Sequence, residues 1–151
     1  MFLLRVIIVI AASLVQISPW FEVGGIKPNL ILVVAVSLVV FEQELWKKIT
    51  VVLVAAIILK AGPTFEITTI IFVLGVLTSI LLSDYFRFER EAAIGGAVLI
   101  TMLALNLTNG FSFIIAERTV VLIELVYTTA LGFVIVPLSK LLYEKGKSSK
   151  S

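Results

Sequence analysis

Charged residues divide this chain more sharply than any secondary-structure propensity does, and the intervals between them are almost wholly apolar. Six uncharged intervals run 6–21, 28–41, 49–59, 67–83, 92–116 and 125–139. A charge at the centre of a bilayer costs about 2.5–3.5 kcal/mol on insertion scales, so each interval reads as a helix placed in lipid. The pattern predicts an all-α polytopic membrane bundle of about six transmembrane helices.

Crossing a hydrocarbon core of about 30 Å takes about 20 residues at about 1.5 Å each, and the second and third intervals are shorter than that. They suffice if Lys27, Lys47, Lys48 and Lys60 extend to the interface and Trp46 lies there; otherwise 28–61 forms a re-entrant hairpin. Crossing is the preferred reading. The sixth helix must contain Glu124, which extends it to 119–142. The first interval, with Ala11-Ala12-Ser13, imitates a signal peptide, but Arg5 alone supplies its leading charge and five apolar intervals follow, so a retained helix is expected. Ser18-Pro19, Gly24-Gly25, Lys27-Pro28, Gly62-Pro63 and Asn109-Gly110 mark the breaks. The loops are short, giving a single integral membrane domain over 1–143 and a basic cytoplasmic tail over 144–151.

Composition agrees with that organisation. Of 151 residues, 60% are hydrophobic and 15% charged, against about 25% charged in ordinary soluble domains, and the mean hydropathy is +1.18. The chain has no cysteine and no histidine, which removes disulfide frameworks, thiol nucleophiles, His-based triads and the usual zinc and haem ligands. No cofactor is expected. The net charge is +2, but Lys140, Lys145, Lys147 and Lys150 cluster near the C-terminus, where a basic segment faces anionic lipid more naturally than nucleic acid.

Six spans put both termini on one side, together with Arg5, Lys47, Lys48, Arg87, Arg90, Lys140, Lys145, Lys147 and Lys150; the other side holds Lys27, Lys60 and Arg118. Nine basic residues against three assigns the termini to the cytoplasm.

Glu124 is the one acid inside the expected spans. It lies six residues past Arg118, about 9 Å into its helix. Glu117, Tyr127 and Thr128 fall on the same helical face. An intramembrane acid is a functional candidate; the plainer reading is a structural group, neutralised by a proton or by a base from another helix, with Lys60 as the candidate partner. Asn106, Thr108 and Asn109 read as hydrogen-bonded helix termination before Gly110, and the triplet Asn106-Leu107-Thr108 is assigned no glycan. Ala92, Ala93, Gly96 and Ala97 form small-xxx-small pairs suited to close helix approach, either inside the bundle or against a partner. The stretch from Asp84 to Glu91 mixes aromatics with both charge signs and suits the headgroup region.

Taken in order, these features resemble the MreD family, small six-helix proteins of the bacterial cell-elongation machinery. The resemblance rests on Pro28-Asn29-Leu30-Ile31-Leu32 opening a second helix, on Ile57-Ile58-Leu59-Lys60-Ala61-Gly62-Pro63 followed by Phe72-Val73-Leu74-Gly75, and on Tyr127, Gly132 and Lys140 in the last helix. Asn29 and Lys60 stand where the family favours Asp, and Glu42-Gln43-Glu44 replaces its Arg-Gly, which makes this a distant or divergent member. The resemblance implies a non-enzymatic membrane scaffold in cell-shape determination and envelope elongation in the bacterial inner membrane. Its implied partners are a single-pass protein of the MreC type and, through it, peptidoglycan-synthesis enzymes. The competing reading is the substrate-binding membrane subunit of a vitamin-type transporter, also a compact six-helix bundle. Glu124 alone, without a nucleophile, a second acid or a metal ligand set, does not make a hydrolase.

Overall fold

A computed structural model describes residues 2–18, 22, 24–59, 66–85 and 90–148, with the side chains of residues 84, 90, 91, 93 and 145–148 outside that description. The fold is all-helical. Seven helices follow one another: α1 (Phe2–Ile17), α2 (Leu30–Phe41), α3 (Leu45–Leu59), α4 (Ile67–Tyr85), α5 (Arg90–Leu107), α6 (Phe111–Ala116) and α7 (Arg118–Ser148). Among the described residues, one helical stretch, Arg118–Glu144, is long and apolar enough by itself to cross a membrane; Phe2–Ile17, Leu30–Phe41, Ile67–Ser83 and Ile94–Leu107 are apolar but shorter.

The shortest of the core helices organises the rest. Every residue of α2 from Ile31 to Val40 is buried, and α2 packs against α1, α3, α4, α5 and α7. At 12 residues it is about 18 Å long, its ends are half-buried, and the unpaired backbone groups there find partners in neighbouring helices.

The surrounding helices put apolar side chains on both faces. Inward, Val9, Val51, Phe72, Val76, Ile94, Val98 and Met102 pack around α2. Outward, Leu3, Ile7 and Leu14 on α1, Leu53 and Ile57 on α3, Ile70, Leu74 and Leu81 on α4, Ile100 and Leu103 on α5, and Leu122, Val126 and Phe133 on α7 are exposed. These recur at helical spacing, where a bundle in water would carry its charges.

The fifth apolar interval is divided. α5 ends at Leu107, the N–H groups of Thr108, Asn109 and Gly110 turn back to the carbonyls of Leu105, Asn106 and Leu107, and Gly110 takes φ +95°, which favours glycine. The six residues of α6 then form a separate helix with no buried side chain. The basic segment beginning at 144 continues α7 as helix to Ser148, and Pro137 sits inside that helix.

α4 and α5 approach each other closely at Gly75. A Cβ built on Gly75 would lie 2.2 Å from Thr101 Oγ1 and 2.3 Å from its Cγ2, so Gly75 is required for this crossing. Thr101 is buried, and its hydroxyl donates to the Ala97 carbonyl at 2.7 Å.

Candidate functional site: polar ends of α2 and the groove between α5 and α7

The start of α2 is a half-buried helix terminus, and three of its backbone N–H groups are met by side chains. Asn29, the N-cap, accepts from the Leu32 N–H through Oδ1 at 3.2 Å. The Asn29 N–H donates to Thr128 Oγ1 of α7 at 3.0 Å. The Leu30 N–H donates to Gln16 Oε1 of α1 at 2.8 Å. The start of this short helix thus draws one polar side chain from each of two neighbours. Thr128 belongs to the inward stripe of α7, where Val121, Thr128, Val136 and Ser139 are buried.

One turn before Thr128, Glu124 is half-buried and accepts through Oε2 from Asn106 Nδ2 of α5 at 3.1 Å. The same Asn106 nitrogen donates to the Met102 carbonyl at 3.1 Å, so the amide presents its NH2 to the carboxylate and is fixed in that orientation. Among the described residues, neither a base nor Tyr127 shares a bond with Glu124. Lys60, the partner expected from sequence, lies outside the described residues. Glu117 is not on α7 with the other three. It caps the end of α6, its side chain is exposed, and its carbonyl accepts from the Val121 N–H, because the chain turns before α7 begins.

The other end of α2 holds a second polar cluster that sequence reasoning missed. Glu42, 8% exposed, pairs with Arg5 of α1 and accepts from the Gln43 and Glu44 N–H groups at 2.9 and 3.3 Å. The Arg5 guanidinium lies 5.3 Å from the Tyr143 ring centroid of α7. Phe2 and Trp46 meet edge to face beside it, with centroids 4.9 Å apart. Three elements are joined here as at the opposite end. Asn29 ahead of an apolar run is a recognisable N-cap signal, and Gln16 is the sole amide in the first apolar interval. Nothing in sequence spacing couples Arg5 to Glu42.

The small-residue patch is split by its surroundings. Ala97 is buried, Ala92 is exposed, and the Ala93 side chain lies outside the described residues. A Cβ on Gly95 or Gly96 would meet no atom within 4 Å. Close packing inside the bundle falls to Gly75, not to Gly96. Gly95 instead borders an open groove of about 280 Å³ between α5 and α7, floored by Val33 of α2 and walled by Ala92, Val98, Thr128, Gly132 and Phe133 among others.

Comparison with family models, curated proteins and solved structures finds no match to this chain.

Proposed function

We propose that this protein is a non-enzymatic integral membrane scaffold that binds other membrane proteins in bacterial envelope growth, as a divergent relative of the MreD family. In this reading α1 to α5 and α7 are six spans in the inner membrane with both termini cytoplasmic. The partners are a single-pass protein of the MreC type and peptidoglycan-synthesis enzymes. The apolar outer faces of α1, α3, α4, α5 and α7 support burial in lipid, and the nine-to-three distribution of basic residues supports the orientation. The short α2 is compatible with a membrane interior because protein surrounds it and side chains satisfy its start.

The observation that carries the scaffold reading is the bare surface over Gly95 and Gly96. Helices associate in lipid chiefly through close packing, since burial of apolar surface drives nothing there. Gly95 and Gly96 are half-buried with open space over their Cα atoms, and Gly95 borders the groove, an approach that the described residues do not use. The occupant that fits is one transmembrane helix of a partner.

Gly95→Leu tests this. The added side chain enters open space, so the variant should fold, insert and purify as the wild type does while losing the partner on affinity copurification from native membranes. Unchanged partner recovery with Gly95→Leu would assign the groove to lipid and remove the scaffold reading. Recovery of an ATPase-driven transporter module in place of elongation proteins would favour the transporter subunit.

A further inference from the structure

We infer that the Lys48 ammonium is a phosphate-binding point at the cytoplasmic end of α3, and that it holds the headgroup of an anionic phospholipid. The inference rests on the membrane reading above and adds a ligand to it.

Lys48 opens the inward stripe of α3, ahead of Val51, Val52, Ala55 and Ala56. The residue is 8% exposed, yet among the described residues its ammonium shares no hydrogen bond or ion pair. Its neighbours in the polar cluster are matched: Arg5 pairs with Glu42, and Lys47 pairs with Glu44 while lying 5.4 Å from the Trp46 ring centroid. Both carboxylates of that cluster are thus taken, and the charge of Lys48 is left over. An ammonium offers three donors and no acceptor, so what it can receive is an anion rich in oxygen, and a phosphate fits.

Burial covers the stem of Lys48 and not its tip. Among the described residues, Ser37 Oγ is the one occluded side-chain polar atom without a partner, so the unpaired Lys48 nitrogen must reach the surface. Helical side chains lean toward their own N-terminus, and Lys48 stands in the first turn of α3, two residues past Trp46 and about 3 Å along the axis. Leu45 and Trp46 are exposed, and an exposed tryptophan at the end of an apolar helix marks the headgroup level of a bilayer. A lysine with its stem among apolar side chains and its amine at that level meets lipid phosphate. Packing already holds the stem, so binding costs less side-chain freedom than it would for a lysine that rotates freely. That distinguishes a site at Lys48 from diffuse attraction to the basic tail.

The experiment titrates the purified full chain in detergent micelles with phosphatidylglycerol or phosphatidylcholine and resolves bound lipids by native mass spectrometry. The first phosphatidylglycerol should bind about fivefold more tightly than phosphatidylcholine, the scale of one lysine at an anionic lipid surface. Lys48→Met keeps an unbranched stem in the inward stripe, should remain monodisperse on size exclusion, and should erase that preference. Lys48→Arg should retain it, as should replacement of Lys145 and Lys147 together by glutamine. Equal binding of the two lipids to the wild type, or a preference that survives Lys48→Met and disappears with the tail lysines, would overturn the site. Displacement of bound phosphatidylglycerol by inorganic phosphate would overturn the lipid as the ligand and assign the site to a free phosphate. A wild-type chain that stays monodisperse in buffer without detergent would overturn the membrane reading and the inference together.

Discussion

Replacing Thr128 by valine keeps the shape of the side chain and removes the hydroxyl that accepts from the Asn29 N–H at 3.0 Å. Thr128 is 1% exposed, so valine would leave the Asn29 N–H facing an apolar side chain. Leaving a buried donor unsatisfied costs about 1–3 kcal/mol, whereas side-chain hydrogen bonds within membrane proteins average about 0.6 and reach about 1.7. The donor here is a backbone N–H held at a fixed helix start, and it has less freedom than a side chain to find a substitute. The expected loss is therefore near the overlap, about 1.5 kcal/mol, or roughly tenfold in the folded-to-unfolded ratio. Thr129→Val is the internal control: the adjacent residue is half-buried and lines the groove, and the Asn29 N–H donates to Thr128. Sodium dodecyl sulfate titration in mixed micelles measures global stability, and hydrogen exchange over the segment after Asn29 reports the local opening. Thr128→Val should lower the first and accelerate the second, and Thr129→Val should change neither. Equal behaviour of the two variants would show that Thr128 does not hold α2.

The α4–α5 crossing gives a steric prediction. Gly75→Ala places a methyl within 2.8 Å of three Thr101 side-chain atoms, so the helices must part or Thr101 must leave its rotamer, at an expected cost of about 1–3 kcal/mol by the same titration. Thr101→Ala, which removes the two nearest of those atoms, should recover part of that loss; a purely additive double variant would place the strain elsewhere. The six-span orientation is open to single-cysteine labelling with an impermeant reagent. Cysteines at Gly25 and Asn109 should react from outside, and cysteines at Gln43 and Tyr85, both exposed, only after permeabilisation. Outside labelling of Gln43→Cys would refute the crossing assigned to α2 and α3.

Helix positions were legible in the sequence because charged residues interrupt the apolar runs locally, one residue at a time, whatever the neighbours are. The intervals bounded by Lys27 and Glu42, or by Glu66 and Asp84, therefore coincide with α2 and α4 to within a few residues. The turn at Asn109-Gly110 was readable for a similar reason, since glycine tolerates the φ of +95° found there. That the apolar residues after this turn form a helix of their own, α6, before α7 begins was not apparent.

Which face of each helix meets another helix was decided by tertiary structure alone. A polar stripe along a helix marks its outside, but here Leu53, Leu74 and Ile100 are as apolar as Val51, Phe72 and Val98, and only packing distinguishes exposed from buried. For that reason nothing in composition singled out α2 as the central helix. The polar contacts are equally non-local: Asn29 meets Thr128 across 99 residues, Arg5 meets Glu42 across 37, and Asn106 meets Glu124 across 18. The glycines show the same division. Sequence identifies Gly96 as a site of close helix approach and gives Gly75 no such role, because a missing side chain carries no information about what lies above it; only the fold covers Gly75 with Thr101 and leaves open space over Gly96.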